Sequence, residues 1–374
     1  MINIKSFGAV GNGVADDTAA LKKALVSEEP IYFPSGIYLV NEQLFADNIS
    51  LYWYGAGRSS VIRLIPSATA GKATSDRHNK IKKVLDMRLL LLKNCNEIEL
   101  NDLTFDANKD AFVNDAYSVG SCEDDFTTCL DIHHAKSVTL SGVTCRGGLI
   151  EGAYILRANK IDISRCCFVD NGVYGYDASG LHIEGRNVDG DDIHITSCEF
   201  SSNGFDGLLL NGVNGADVRD VICRKNGFDG IAFWGGSSRC LISGAVSEHN
   251  DRSGVTFRRN HSAGNMDVYL EGCDKFCADN VLEELVTVGN AYGIHWGCSE
   301  RTTIKGWHSA DRFTHSLCFL KPQKDITALL SDVHLSPKDG EIWNTDITCD
   351  DKELYDEQGP GPCSDLSRFK LVIE

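Results

Sequence analysis

The middle of the chain repeats a short pattern of polar and apolar positions. The segment NGFDGLLLNG begins at Asn203, and NGFDGIAFWGG begins at Asn226, 23 residues later. In both segments an aspartate and a glycine precede a run with alternating apolar positions, and this two-residue period predicts a β-strand with one buried face. Because the unit returns at a nearly fixed interval, we expect coils stacked on one another.

Four more segments carry the same pattern of one residue, a glycine and alternating apolar positions. A coil of 23 or 24 residues accounts for three of the five steps between segments. We assign a step of 32 residues to one coil plus a loop at the polar segment 187–192, and a step of 39 to a larger insertion or one further coil. The leading residues of the six segments are Glu151, Tyr174, Asp206, Asp229, Ser253 and Tyr292.

Four cysteines recur in step with the pattern. Cys145, Cys167, Cys198 and Cys223 each close a short β-rich run. We interpret them as inward-facing side chains that stack in the core, because cysteine is small and frequently buried. The chain has 15 cysteines but no pair of C-x-x-C motifs with zinc-site spacing, so no metal site and no cofactor are predicted.

The N-terminal 64 residues contain a second signal. Asp16, Asp17 and Thr18 offer capping oxygens to a helical run at 19–25, and β-rich runs follow. The succession of INIKSFGAVGNGVADDTAAL, YFPSGIYLV and the turn Gly-Ala-Gly-Arg resembles the opening coils of the pectate-lyase superfamily, which phage tail spikes share. This resemblance implies an all-β fold, a single-stranded right-handed parallel β-helix with an N-terminal helix cap.

Three regions follow from these patterns. We expect an N-terminal cap and opening coils at 1–90, the coils of the parallel β-helix at 91–320, and a C-terminal extension or cap at 321–374. The last region loses the repeat, gains acidic residues and contains Gly-Pro-Gly-Pro. We interpret it as a cap or an oligomerisation segment, because the open end of a β-helix exposes unpaired strand edges.

Composition narrows the range of partners and locations. The formal net charge is −17 and the sequence pI is about 5.0, which argues against nucleic acid and anionic membrane surfaces as main partners. No stretch is long and apolar enough for a transmembrane helix, and the first residues lack the apolar core of a Sec signal. The expected location is a phage virion or release by a non-Sec route, with the cytoplasm as the alternative.

The alternation of side chains also predicts an outward surface beside the repeats. If Ile231 and Phe233 point into the core, Ala232 and Trp234 point outward. Applied to the other coils, this register adds to the surface Tyr154, Asp177, Leu209, Asn211, Thr256, Arg258 and His295.

Asp206 and Asp229 are the predicted acid and base of a catalytic site on this surface. They precede the strands of consecutive coils, about 4.8 Å apart, so their mutual repulsion should raise one of the two pKa values. Glycosidases need such a pair of carboxyl groups around the scissile bond. Glu151 and Asp177 are the substitute carboxylates. The predicted substrate-binding residues are Trp234, Tyr174 and Tyr292, on which sugar rings can lie, and the polar Arg258, His295 and Asn211.

The Asp-Gly repeats also have a structural explanation, because aspartate and asparagine bind local backbone in turns and glycine adopts positive φ. Polygalacturonases carry Gly-Asp-Asp before one strand and Gly-His-Gly in the next coil. Here Phe205-Asp206-Gly207 and Phe228-Asp229-Gly230 lack both features. The Asp-Pro-His-Asp signature of mannuronan epimerases is also absent, and Tyr176-Asp177-Ala178-Ser179 only partly matches it.

The expected function is therefore cleavage of a polysaccharide, by a glycoside hydrolase of tail-spike depolymerase type. The resemblance implies a homo-oligomer, a trimer in many relatives. One alternative is a uronate polysaccharide lyase or C5-epimerase, which would give unsaturated products or no chain shortening. The other alternative is a non-catalytic glycan-binding spike.

Overall fold

The computed structural model describes the backbone of residues 1–65, 72–75, 81–84, 88–111, 128–172, 178–185, 190–258, 277–296, 299–311, 317–319, 326–335 and 369–373. This part of the chain consists mostly of short strands. It also contains one α-helix, α1 (Thr18–Leu25), and two short 3-10 helices at Ile4–Phe7 and Lys109–Ala111.

The strands are short and follow one another along the whole chain. In chain order they are β1 (Ile2–Asn3), β2 (Asn12–Asp16), β3 (Ile31–Phe33), β4 (Gly36–Val40), β5 (Leu44–Asp47), β6 (Leu51–Gly55), β7 (Ser60–Leu64), β8 (Lys72–Ser75), β9 (Ile81–Val84), β10 (Leu90–Lys93), β11 (Glu97–Asn101), β12 (Thr104–Asp106), β13 (Leu130–His133), β14 (Ser137–Ser141), β15 (Thr144–Arg146), β16 (Ala153–Leu156), β17 (Lys160–Ser164), β18 (Cys167–Val169), β19 (Leu181–Glu184), β20 (Asp192–Thr196), β21 (Glu199–Ser201), β22 (Leu208–Asn211), β23 (Ala216–Arg219), β24 (Ile222–Arg224), β25 (Ile231–Trp234), β26 (Leu241–Ser243), β27 (Val246–Glu248), β28 (Ser253–Phe257), β29 (Cys277–Ala278), β30 (Val281–Glu283), β31 (Val286–Val288), β32 (Tyr292–Trp296), β33 (Ser299–Glu300), β34 (Thr302–Ala310), β35 (Leu317–Phe319), β36 (Ile326–Leu335) and β37 (Phe369–Ile373).

Most of the strands form three parallel stacks. The first sheet contains β5, β10, β13, β16, β19, β22, β25, β28, β32 and β35, side by side in that order. The other two stacks lie within a 23-stranded sheet, where β14 pairs with β17 while β15 pairs with β18. Each coil thus contributes one strand to every stack, as β16, β17 and β18 do. This arrangement confirms the predicted all-β, right-handed parallel β-helix.

Helix α1 packs on the core near the N terminus. Asp16 accepts a hydrogen bond from the backbone N–H of Thr18 at 2.9 Å. Asp17, the residue before the helix, instead accepts from the N–H groups of Val10 and Gly11 at 2.6 and 3.0 Å, which holds the preceding loop against the helix. The helix buries one apolar face, which comprises Ala20, Leu21, Ala24 and Leu25.

Stacked side chains fill the core between the three stacks. The rings of Phe168 and Phe200 lie 5.4 Å apart, and the strand pairing places Cys145 and Cys223 on either side of them in the same inward row. Cys198 is also buried. Cys167 pairs with the position before Cys145 and belongs to the outward row, so the prediction of one inward ladder of four cysteines is wrong for this residue.

A ladder of buried asparagines explains the Asn-Gly part of the repeat. It runs through Asn171, Asn203, Asn226, Asn250 and Asn290, and Nδ2 of each donates to Oδ1 of the next at 3.1, 3.0, 2.8 and 2.9 Å. Each of the first four also donates its backbone N–H to the same oxygen of the next residue. The ladder therefore fixes the register of five coils, because a shift would leave buried polar groups unpaired.

The coil between Glu151 and Asp206 corrects the predicted register. Strand β19 begins at Leu181, so Ser179 and Gly180 hold the position that the sequence pattern assigned to Tyr174 and Gly175. The coil starts are therefore 28 and 27 residues apart here, instead of the predicted 23 and 32. Residues 173–177 and 186–189 of these two coils lie outside the described residues.

The C-terminal region continues the stack beyond the predicted boundary at 320. Strand β36 pairs in parallel with β34, and β37 pairs in parallel with β36. The part of this region that is described thus adds rungs to the β-helix. Its role as a cap or oligomerisation segment stays a prediction, as do the domain boundaries.

Candidate active site

The outward face of the first sheet brings several ionisable side chains together. The pairing of β16 with β19 aligns Tyr154 with His182. The pairing of β19 with β22, and of β22 with β25, aligns Glu184 with Asn211 and Trp234. Neighbouring rungs are about 4.8 Å apart, so side chains at aligned positions can touch.

Asp206 and Asp229 lie against each other on consecutive coils, but both are fully buried. The N–H of Asp229 donates to Oδ1 of Asp206 at 3.2 Å. Arg258 donates to both carboxylates, and its Nη2 lies 2.6 Å from Oδ2 of Asp229. Arg252 donates to Oδ1 of Asp229 at 2.9 Å. We call these four residues the aspartate–arginine cluster.

The two aspartates of this cluster have very different pKa values. Burial raises the pKa of Asp206 to about 7; Arg258 opposes this shift and the charge of Asp229 adds to it. Burial also disfavours ionisation of Asp229, but the guanidinium groups of Arg252 and Arg258 outweigh it and lower the pKa of this aspartate below its usual range. The two pKa values thus differ in the way that mutual repulsion predicts, although burial and the arginines contribute most of the difference.

The aspartate–arginine cluster is closed by aromatic rings. Phe205 and Phe228 stack with centroids 4.3 Å apart, and the guanidinium carbon of Arg252 lies 3.7 Å from the centroid of Phe228. Arg258 lies 5.0 Å from the centroid of Phe205. In this arrangement neither carboxylate reaches solvent, and both are bound by arginines, so the catalytic role of Asp206 and Asp229 stays a prediction.

A second group of side chains lies nearer the N terminus on the same face, where Tyr154 and His182 are partly exposed while Glu151 and Glu184 are buried. Nδ1 of His182 donates to Oε1 of Glu151 at 2.8 Å. Burial lowers the pKa of His182, but the charge of Glu151 outweighs this effect and the pKa is raised above the usual value of an imidazole. Nε2 of His182 is buried and, within the described parts of the chain, has no hydrogen-bond partner. This imidazole can therefore carry a proton and donate it.

Tyr154 lies between the imidazole and another carboxylate. Its hydroxyl donates to Oε2 of Glu184 at 2.8 Å, and its ring centroid lies 4.8 Å from that of His182. Burial and the charge of Glu184 raise the pKa of Tyr154 well above its usual value, so the phenol keeps its proton. Arg157 lies 3.7 Å from Glu184. We call Glu151, Tyr154, His182 and Glu184 the Tyr–His site.

Asp131 and His133 flank the Tyr–His site on the preceding rung. Nε2 of His133 lies 2.6 Å from Oδ1 of Asp131, and Arg88 donates to the other oxygen of this buried carboxylate. The rings of His133 and Tyr154 meet edge to face, with centroids 5.8 Å apart.

The other predicted site residues do not join this group. His295 is buried with Nδ1 3.2 Å from the hydroxyl of Thr256, and the ring of Tyr292 lies 6.0 Å from it. Asn211 is buried and Trp234 is partly exposed, one and two rungs beyond Glu184. Tyr174 and Asp177 lie outside the described residues.

The sequence prediction missed His182 and Glu184, although a signal for them was available. The segment Ser179-Gly180-Leu181-His182-Ile183-Glu184 has the same form as DGLLLN at Asp206. The segment from Tyr174 also offers a residue followed by a glycine, and only the strand pairing separates the two registers.

Within the described ranges, no cluster of three or more His, Cys, Asp or Glu residues has a metal-site arrangement.

Two family models match the chain. A model described as rhamnogalacturonase A/epimerase, pectate lyase-like, matches residues 1–141, and a model of the right-handed β-helix region matches residues 176–306. These matches confirm the resemblance to pectate-lyase-like parallel β-helix proteins.

Curated relatives come from Bacillus phages. The pre-neck appendage protein of phage B103 is 25% identical over 252 residues, which are 66% of this chain and 26% of the relative. That of phage phi29 is 23% identical over 210 residues, which are 56% of this chain and 21% of the relative. This chain thus spans about a quarter of the length of the curated relatives it matches.

Solved structures share the fold at low sequence identity. The pre-mature gene product 12 of bacteriophage phi29 has a TM-score of 0.57 and 16% identity, covering 88% of this chain and 45% of that one. Tailspike protein 2 of the Escherichia coli O157:H7 bacteriophage CAB120 has a TM-score of 0.58 and 14% identity, covering 88% and 42%. The mannuronan C-5 epimerase A-module of Azotobacter vinelandii has a TM-score of 0.52 and 17% identity, covering 90% of this chain and 96% of that one.

No helix in the described residues is long and apolar enough to cross a membrane.

Proposed function

We propose that this pectate-lyase-like parallel β-helix is a polysaccharide-degrading enzyme of phage tail-spike type, which hydrolyses a glycosidic bond at the Tyr–His site. One observation carries the proposal. Two hydrogen-bonded pairs, His182 with Glu151 and Tyr154 with Glu184, lie on neighbouring rungs of the outward face, and their rings are partly exposed. A potential acid and base are thereby placed side by side at the outward face, with Nε2 of His182 buried and Glu184 9% exposed.

The chemistry of each side chain suggests its role. His182, whose pKa is raised, protonates the leaving glycosidic oxygen from Nε2, while Glu151 orients the imidazole and stabilises its charge. Glu184 takes a proton from the water that attacks the anomeric carbon. Tyr154 keeps its proton and holds the Glu184 carboxylate in position through the 2.8 Å hydrogen bond. In this proposal His182 and Glu184, rather than Asp206 and Asp229, are the acid and the base.

Electrostatics favour hydrolysis over β-elimination. A uronate lyase needs a cation that neutralises the carboxylate of the substrate while a base removes the neighbouring proton. The arginines that the structure describes near the site already contact protein carboxylates. These pairs are Arg88–Asp131, Arg157–Glu184 and Arg258–Asp206.

A uronate lyase or C5-epimerase is the second candidate. The 4.8 Å contact between the rings of Tyr154 and His182 favours it, because a phenol and an imidazole on adjacent rungs can serve as the two proton-transfer groups at one carbon atom. A glycan-binding spike without turnover is the third, and it is supported by the appendage proteins among the relatives.

The test is incubation with a panel of capsular, lipopolysaccharide and algal glycans. Chain length is followed by size exclusion, and unsaturated ends by ultraviolet absorbance. We expect shortening without new absorbance. Shortening with new absorbance would indicate a lyase instead of a hydrolase. Binding without shortening would leave the epimerase, which a change in uronate composition would identify, or the spike.

Variants then locate the site. Glu184→Gln and His182→Gln should each lower the rate about 10²- to 10⁴-fold, the usual contribution of a general acid or base. Glu199→Gln is the matched control, since Glu199 pairs with Arg224 on the third stack, away from the Tyr–His site. Activity that survives in Glu184→Gln but not in Asp229→Asn, with both proteins folded, would return the chemistry to the aspartates.

We also propose that the protein is part of a phage virion and forms a homotrimer. The names of its relatives, which are phage appendage and tailspike proteins, support the virion assignment, and the resemblance to tail spikes implies the trimer. Light scattering coupled to size exclusion measures the mass of the assembly, and a monomer at micromolar concentration would contradict it.

A further inference from the structure

In the outward row of the first sheet that contains Tyr154 and His182, the described residues on either side of this pair are buried. On the C-terminal side, the aligned residues Leu209, Ala232 and Thr256 are 4%, 0% and 0% exposed, although the strand alternation points them away from the core. Other side chains of the protein therefore cover this row of outward residues.

Arg258 accounts for part of that cover. It follows β28, yet its guanidinium binds Asp229 and Asp206, which precede β25 and β22. To reach them, its side chain has to run back along the outward face over the neighbouring rungs. The salt bridges to two buried carboxylates hold it there. The aspartate–arginine cluster is thus a wall across the outward face, one rung beyond His182.

A similar wall stands on the other side. Asp131 aligns with Tyr154 on the preceding rung and is fully buried, although it too belongs to the outward row. Arg88 and His133 hold its two oxygens. Leu91, the next outward residue, is 6% exposed. An arginine bound to a buried aspartate therefore closes the face on this side as well.

The space between the walls is short. Between Leu91 and Leu209 in this row, Tyr154 and His182 are the partly exposed residues, on two consecutive rungs, so the opening in the row is roughly 10 Å along the helix axis at 4.8 Å per rung. That length suits a short oligosaccharide. A polymer lying along the axis would have to cross Arg88 or Arg258, and both are fixed by ion pairs.

We propose that the Tyr–His site is a pocket closed along the helix axis by the Arg88–Asp131 pair and the aspartate–arginine cluster, and that it takes the end of a glycan chain and releases short products from it. This inference rests on the proposed function and specifies its substrate as chain termini. Each turnover breaks one glycosidic bond near the chain end, with the oxygen of water going to the new reducing end and a proton going to the leaving oxygen.

The products of the first minutes of reaction test this inference. An exo-acting pocket gives one small product from the start, seen by mass spectrometry, while the polymer peak in size exclusion shifts slowly. A ladder of intermediate sizes, with a rapid fall in mean chain length, overturns the inference but leaves the proposed function intact.

A variant tests the wall itself. Arg258→Met combined with Asp206→Asn removes the guanidinium group and the carboxyl group that it contacts, and leaves the Arg252–Asp229 pair in place. We expect it to produce intermediate-sized products at least tenfold more often than the parent. Arg224→Met with Glu199→Gln removes an equivalent pair from the third stack and should leave the products unchanged. An unchanged product pattern in the folded wall variant overturns the assignment of Arg258.

Binding decides the case in which no glycan is shortened. The proposed function then fails, and the pocket is tested with the full chain by calorimetry on glycans from the same panel. A pocket binds a tetrasaccharide and its polymer with the same affinity per chain end. Affinity that grows with chain length, or no binding of the oligosaccharide, overturns the inference.

Discussion

The substitution Tyr154→Phe tests the Tyr–His site with little change in shape. It removes the single hydroxyl that donates to Glu184 at 2.8 Å and keeps the ring that packs against His182 and His133. If Glu184 is the base, the variant retains the carboxylate but loses the bond that orients it.

The size of the effect follows from this bond. A hydrogen bond to a charged group contributes about 1.5–3 kcal/mol. If it is fully formed in the transition state, its loss lowers the rate about 10- to 150-fold, at 1.36 kcal/mol for each factor of ten. The loss should appear in kcat more than in KM, because the hydroxyl acts on the base rather than on substrate affinity.

Tyr52→Phe is the matched control for this measurement. The hydroxyl of Tyr52 also donates to a carboxylate, that of Glu97, on the exposed surface of the second stack. Initial rates on the glycan identified by the panel are compared, together with thermal unfolding to establish that both variants fold. A Tyr154→Phe protein with kcat within twofold of the parent would refute the role of this hydrogen bond.

Two further predictions concern stability. Asn226→Ala removes four side-chain hydrogen bonds of the asparagine ladder, to Asn203, Asn250 and Phe200, and should lower the free energy of unfolding by about 4 kcal/mol in chemical denaturation; a loss below about 1 kcal/mol would contradict the ladder's role. Asp206→Asn should change the pH dependence of stability. The folded parent keeps the Asp206 proton up to a pKa of about 7 whereas the unfolded chain releases it near pH 4, so the parent loses stability as pH rises between these values and the variant does not. Chemical denaturation at pH 5 and pH 8 measures the free energy of unfolding of the parent and of the variant. If the two proteins differ by the same amount at both pH values, the prediction is refuted.

The fold was predictable because its signals are local and repeated. A strand alternates every two residues, and one coil resembles the next, so six imperfect copies support one another where a single copy would be ambiguous. The Asn-Gly element recurs because a buried asparagine on each coil has to meet the asparagine of the next one. A Cβ on Gly207 would lie 2.8 Å from Nδ2 of Asn226, which explains why glycine follows Asp206 in the pattern.

The site was only partly predictable. Glu151 was identified, but its partners His182 and Glu184 were missed because the neighbouring Tyr174-Gly175 matched the pattern as well as Ser179-Gly180 did. Periodicity cannot choose between two such registers within a coil that carries extra residues. Hydrogen bonding between β16 and β19 makes that choice, and it depends on both strands at once.

The sequence by itself determined that Asp206 and Asp229 stand on consecutive rungs, because their spacing equals one coil. Only the tertiary structure decided what surrounds them. Arg258 is 52 residues from Asp206 along the chain, and its side chain meets that carboxylate because stacking brings distant coils within reach. Whether a carboxylate faces substrate or an arginine depends on side-chain paths across several rungs, and a one-dimensional period contains no information about those paths.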